Sequence, residues 1–134
     1  MIEEDTEMPT ALNLADNLEH LPDRIRQLVE KASAGTLVLA LKTTYKPNST
    51  IPSIWLVLTS DALLLCNTHS TRGLWGRYSR TMLPSLRLGV TSASRVYLDL
   101  HAPSGTVTLT LSEKLARGDI ERFLAEYRRL GGRS

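Results

Sequence analysis

The sequence predicts an α+β domain, mainly β, with about seven short strands flanked by helical segments. Apolar residues recur at helical spacing from Leu14 to Ala32 and again from Leu115 to Leu130. Between them, from Thr36 to Leu111, they fall in short runs or alternate with polar residues, punctuated by turn formers. Strands with one dry face, followed by a single amphipathic helix, point to a strongly bent sheet or barrel whose open end the helix can plug.

The 134 residues suit one domain. A chain of this size buries about two-thirds of the surface its unfolded state exposes, so it needs no metal or disulfide to fold. The single cysteine, Cys66, excludes an internal disulfide framework and fits a reducing compartment. No apolar run approaches the roughly 18 residues that span a bilayer. The first residues, Met1-Ile2-Glu3-Glu4-Asp5, are acidic where a signal peptide is basic. The expectation is a cytoplasmic protein without a transmembrane segment.

The formal net charge of +2 conceals a partition. Residues 1–30 carry eight acids against Arg24 and Arg26, a balance of −6, whereas residues 31–134 carry six acids against fourteen bases, a balance of +8. No carboxylate lies between Asp61 and Asp99, yet Arg72, Arg77, Arg80, Arg87 and Arg95 do. Such an asymmetry fits either an anionic partner or autoinhibition by the leader; solvated surface charge is the alternative.

Residues 1–10 are polar and acidic and read as a disordered leader. Residues 11–34 form an N-terminal helical segment whose stripe runs Leu14, Leu18, Leu21, Ile25, Leu28, Ala32. Pro22 cannot sit in a helix interior but suits a first turn, so a fresh helix is expected near it, with Asp23 at its positive end. Fewer than three heptads interrupted by proline argue against a coiled coil. The expectation is a helix docked on the domain's own core.

Thr36–Lys42 reads as the first strand, and residues 45–52, with Pro47 and Pro52, as a loop. Ser53–Thr59 and Ala62–Thr68 are apolar runs divided by Ser60-Asp61, the spacing of a tight hairpin. Gly73–Tyr78 follows a polar turn, and Leu86, Leu88 and Val90 alternate after it. The cleanest alternation is Val96, Leu98, Leu100 and then Val107, Leu109, Leu111, joined by the turn Ala102-Pro103-Ser104-Gly105. The last helix places Ile120, Phe123, Leu124 and Tyr127 on one side, takes Asp119 as its N-cap, and ends at Gly131-Gly132. Residues 131–134 are a tail.

Several strings, in order, resemble bacterial pleckstrin-homology-like domains close to the GRAM-type branch. Trp55-Leu56-Val57-Leu58-Thr59-Ser60-Asp61-Ala62-Leu63-Leu64-Leu65 is similar to that family's second and third strands. Gly73-Leu74-Trp75-Gly76-Arg77 resembles the turn that follows, Met82-Leu83-Pro84-Ser85-Leu86 the approach to the fifth strand, and Asp119–Leu124 the closing helix. The likeness spans residues 35–130. It implies a seven-stranded, partly open antiparallel barrel capped by a C-terminal helix, and a binding or scaffolding module rather than an enzyme. Lipid-binding members carry basic residues on their first two strands. Lys42 and Lys46 match the first part of that pattern, whereas Ile54-Trp55-Leu56 departs from the second by carrying no base.

Candidate binding residues follow from charge and chemistry. Lys42 and Lys46 can contact a phosphate or an anionic headgroup, or be ordinary loop lysines. His69, Arg72, Arg77 and Arg80 surround the third turn beside Trp75. An arginine cluster next to an indole can grip phosphates, stack a base or enter a membrane interface. Alternatively, Trp75 covers the barrel and the arginines keep an edge hairpin soluble. Cys66 and His69 fall on opposite faces of a continuous strand and lack an ordering acid, so catalysis is not expected there. His20, His69, His101 and the lone cysteine have no metal-ligand spacing, no phosphate-loop motif occurs, and no cofactor is implied. Asn48-Ser49-Thr50 is a glycosylation sequon that means nothing in a cytoplasmic protein.

The expected function is non-enzymatic binding of a protein partner or an anionic membrane surface, with the protein cytoplasmic or peripheral at the membrane. Nucleic-acid binding through the Arg72–Arg80 turn is one alternative. Homo-oligomerisation through the N-terminal helix is the other.

Overall fold

A computed structural model describes residues 21–115 and 117–134; the expected disordered leader and the helical residues 11–20 lie outside the described residues. Two helices and seven strands occur among the described residues, in the order α1 (Asp23–Ala32), β1 (Leu37–Lys42), β2 (Trp55–Thr59), β3 (Ala62–Cys66), β4 (Leu74–Ser79), a 3-10 turn (Arg80–Met82), β5 (Ser85–Val90), β6 (Val96–Ala102), β7 (Gly105–Thr110) and α2 (Arg117–Leu130). The strands form two antiparallel sheets, β1-β2-β3-β4 and β5-β6-β7. The sheets meet where Thr44, just beyond β1, donates its backbone N–H to the Thr110 carbonyl at 2.8 Å. None of the helices among the described residues is long and apolar enough to cross a membrane.

Side chains alternate across a strand, and in the first sheet both alternating sets are apolar. One set (Leu39, Leu41, Leu56, Leu58, Leu63 and Leu65) joins Leu86, Leu98, Leu100 and Leu109 of the second sheet in the main core. The other (Ala40, Trp55, Val57, Ala62, Leu64 and Cys66) faces away from that core and is covered by Leu21, Ile25 and Val29. Every residue of β2 and β3 is therefore buried, and these strands lack the wet face that β6 and β7 have. The helix starts where proline allows: Pro22 stands at its N-cap and Asp23 in its first turn. Its apolar stripe docks on its own domain.

The second sheet leaves its outer face polar, with Thr108 Oγ1 donating to Asp99 Oδ1 at 2.7 Å across the hairpin. Its inner face is closed by Ile120, Phe123, Leu124 and Tyr127 of α2. The Tyr127 hydroxyl donates to the Pro84 carbonyl, which ties the helix to the start of β5. Asp119 differs from its expected place. The helix already begins at Arg117, so Asp119 lies buried in the first turn, where a carboxylate complements the positive end of the helix dipole, and does not serve as the N-cap.

The end of α2 is a Schellman-type turn: Gly131 N–H bonds to the Arg128 carbonyl and Gly132 N–H to the Tyr127 carbonyl, both at 3.0 Å. Gly131 has φ +113°, the left-handed region that favours glycine, and a Cβ on Gly132 would run into the Tyr127 ring. The tail then turns back, and Leu86 N–H bonds to the Arg133 carbonyl at 2.8 Å.

Ile25, with 0% exposure, is the centre of the α1 contact. Ile25→Ala is expected to cost about 2–4 kcal/mol in chemical denaturation, the range for a buried aliphatic truncation. It should also speed thiol labelling of Cys66 under native conditions, because that side chain lies beneath the same helix.

Candidate functional site

The antiparallel register places Lys42, Trp55, Cys66 and Leu74 side by side at one end of the first sheet. The loops leaving that end carry Lys46 on the β1–β2 side and His69 and Arg72 on the β3–β4 side. Trp75, one residue into β4, meets Tyr45 of the β1–β2 loop with ring centroids 5.9 Å apart and tilted by 58°. Five of the seven expected site residues (Lys42, Lys46, His69, Arg72 and Trp75) thus share one end of the sheet.

The β3–β4 turn is built by its own polar side chains. Asn67 Oδ1 accepts the His69 N–H at 2.8 Å, and His69 Nδ1 accepts the N–H groups of Thr71 at 3.1 Å and Arg72 at 3.0 Å. Arg24 of α1 reaches over to donate to the carbonyls of His69 and Ser70, at 3.2 and 2.8 Å. His69 therefore shapes the loop that presents Arg72, with Nδ1 as an acceptor. Lys42 is exposed, its ammonium 5.8 Å from the centre of the Trp55 ring, a cation–π distance. Arg72 and Lys46 are exposed, and beside them Leu74 and Trp75 keep 43% and 40% of their surface in solvent.

Arg77 and Arg80 are placed elsewhere. Arg77 pairs in register with Leu64 and donates Nε to the Ala32 carbonyl at 2.6 Å, at the C-terminus of α1. Arg80 lies at the far end of the sheet and donates Nε to the Leu130 carbonyl at 3.2 Å, at the C-terminus of α2. The last carbonyls of a helix lack intrahelical partners and carry the negative end of its dipole, so a guanidinium there stabilises the helix. Both arginines thus have a structural task.

Beside Arg77 lies a polar clasp that the sequence does not single out. The hydroxyls of Ser33, the residue after α1, and Thr59, the last of β2, lie 2.8 Å apart and both converge on Asp61 Oδ1. Thr59 Oγ1 also accepts the Ala62 N–H at 3.1 Å, and Ser33 Oγ the Gly35 N–H at 3.0 Å. The hydrogen bonds from Ser33 and Thr59 hold the Asp61 carboxyl below its ordinary 3.8, and the charge of Arg77 acts in the same direction. Thr-Ser-Asp is visibly turn chemistry, but nothing local reveals Ser33 as its partner.

Cys66 is fully buried in the outer-face cluster, and desolvation pushes its thiol up to about 12, which disfavours the nucleophilic thiolate. Among the described residues, no group of three His, Cys, Asp or Glu side chains is arranged to hold a metal. No family model, curated protein or solved structure matches the chain.

Asp61 has a depressed pKa in the folded state, so its stabilisation is complete above its unfolded value and fades as pH falls through 3.8 and below. Asp61→Asn is expected to lower stability near neutral pH by about 1–2 kcal/mol, the worth of hydrogen bonds to a charged group at a partly exposed site. Urea unfolding at a series of pH values should show the variant and wild type converging in acid. A constant gap down to the lowest pH would contradict the clasp.

Proposed function

We propose that this chain is a non-enzymatic, pleckstrin-homology-like binding module that docks on an anionic membrane surface through one end of its four-stranded sheet. Four antiparallel strands, then three, then a helix packed into the shared core agree with the partly open, helix-capped barrel that the resemblance implies. The observation that carries the docking surface is the exposure of Leu74 and Trp75 at the same sheet end as Lys42, Lys46 and Arg72. An exposed indole and leucine at the same sheet end as three exposed cations match a membrane interface, where the apolar groups enter the headgroup boundary and the cations meet anionic lipid.

Three observations set the other readings behind this one. Arg77 and Arg80 are engaged by helix carbonyls, so the arginine turn offers Arg72 beside a single tryptophan, which is thin support for stacking nucleic-acid bases. Ile25 and Val29 of the α1 stripe are buried against the chain's own sheet, which weakens self-assembly through that helix. The sealed thiol of Cys66 and the engaged Nδ1 of His69 speak against nucleophilic catalysis at that pair.

Flotation with phosphatidylcholine vesicles, with and without phosphatidylglycerol, tests the proposal. Recruitment should require the anionic lipid and weaken as salt rises. Lys46→Ala/Arg72→Ala should reduce partitioning roughly 30-fold, from about 1 kcal/mol per cation near the surface. Arg77→Ala should instead lower stability and leave partitioning of the folded protein intact. Absence of recruitment to anionic vesicles would overturn the membrane reading in favour of a protein partner.

A further inference from the structure

The chain enters the described structure beside the basic sheet end. Leu21, 3% exposed, is the first described residue and packs with Ile25 and Val29 on the face of the first sheet that carries Cys66. Arg24, in the first turn of α1, donates to the carbonyls of His69 and Ser70, and Gly73 leaves room for Leu28 of the same helix. The start of α1 therefore lies against the β3–β4 turn, the turn that presents Arg72. Residues 1–20 precede that point. They hold six acids (Glu3, Glu4, Asp5, Glu7, Asp16 and Glu19) and no lysine or arginine.

The sheet end has the opposite balance. From Thr36 to Leu98 the one carboxylate in the sequence is Asp61, which lies at the other end of the sheet and is occupied by Ser33 and Thr59. Lys46 and Arg72 are exposed, and among the described residues neither side chain has a hydrogen bond or an ion pair. Leu74 and Trp75 stand at the same end with 43% and 40% of their surface in solvent. Reach is no obstacle. Four strands at about 4.8 Å spacing span about 14 Å, and ten residues such as 11–20 cover about 15 Å if helical and about 35 Å if extended.

We infer that the acidic leader, residues 3–7, docks on this sheet end of its own chain, its carboxylates against Lys46 and Arg72 and the flanking Ile2 and Met8 against Leu74 and Trp75. The contact is intramolecular, so the tether supplies an effective concentration of about millimolar, and weak surface ion pairs suffice to populate it. Both partners of each pair stay partly hydrated, which keeps the docked state reversible and sensitive to salt. The leader covers residues assigned above to the membrane and so competes with anionic lipid. That competition rests on the membrane reading, whereas the docking itself does not.

Paramagnetic relaxation in the full chain tests the docking without any membrane. Thr6→Cys places a reactive thiol in the leader, while the buried Cys66 stays unlabelled. A nitroxide on that thiol should broaden the amides of Lys46, Arg72, Leu74 and Trp75 most, and those of Ser104 and Gly105, at the far turn of the second sheet, least. The broadening should vanish in about 1 M salt, where screening acts within about 3 Å, and in Lys46→Ala/Arg72→Ala. Uniform broadening, or broadening that survives both changes, would overturn the docking. Broadening passed from spin-labelled molecules to nitrogen-15-labelled ones in a mixture would assign the leader to a second copy and overturn the intramolecular contact. Vesicles then test the competition. Glu3→Gln/Glu4→Gln/Asp5→Asn/Glu7→Gln should raise partitioning onto phosphatidylglycerol vesicles roughly fivefold, the worth of two exposed ion pairs, and raise it less when combined with Lys46→Ala/Arg72→Ala. An equal gain in both backgrounds is plain repulsion between leader and lipid and would overturn the competition. Local broadening without recruitment to vesicles would sink the membrane reading and spare the docking; recruitment without broadening would do the reverse.

Discussion

A hairpin that is apolar on both faces is the constraint from which the rest of the molecule follows. Every residue of β2 and β3 is buried, so these strands need a cover on each side. The second sheet and α2 provide one, and α1 provides the other. Burial of apolar surface at roughly 25 cal/mol per Å² makes both covers favourable. Without α1, Trp55, Val57 and Leu64 would form an exposed apolar patch of the kind that folded monomers rarely tolerate.

Placing a helix on each side of the sheet creates two helix C-termini whose carbonyls need donors. β4 is the edge strand of the first sheet, and with the short turn after it the chain passes near both ends. Arg77 and Arg80 therefore become the donors, one for each helix. The same packing brings Arg24 against the β3–β4 turn, so the loop that carries Arg72 is shaped partly by α1. Core and candidate surface are linked through these few hydrogen bonds.

Periodicity made the elements legible. The Pro22 helix start, the Ser60-Asp61 hairpin and the alternation in β6 and β7 were all readable because each depends on neighbours in sequence. The two-sided burial of β2 and β3 was half visible: continuous apolar runs announced it, but not what lay on the second face. The site was legible only in composition. Arg72, Arg77 and Arg80 read as one basic turn because they are close in sequence, yet alternation across a strand and a half-turn beyond it send them to three different places. The clasp of Ser33, Thr59 and Asp61 and the meeting of Tyr45 with Trp75 join residues far apart in the chain, and no local pattern reports such pairs.

The charge partition gains meaning when each cation is assigned to what it touches. Arg24, Arg77 and Arg80 donate to backbone carbonyls, and Arg129 pairs with Glu126 at 3.2 Å. The first three hold α1 and α2 in place, and the Arg129–Glu126 pair lies within one helix, so these charges say little about partners. Lys46 and Arg72 have no such commitment among the described residues, and with Lys42, whose ammonium stands over Trp55, they lie on or beside the sheet end that also exposes Leu74 and Trp75. Exposed cations keep their hydration but lack counter-charges and the apolar side chains beside them stay in water, so on the proposed reading an anionic apolar boundary supplies charge pairing and apolar burial together.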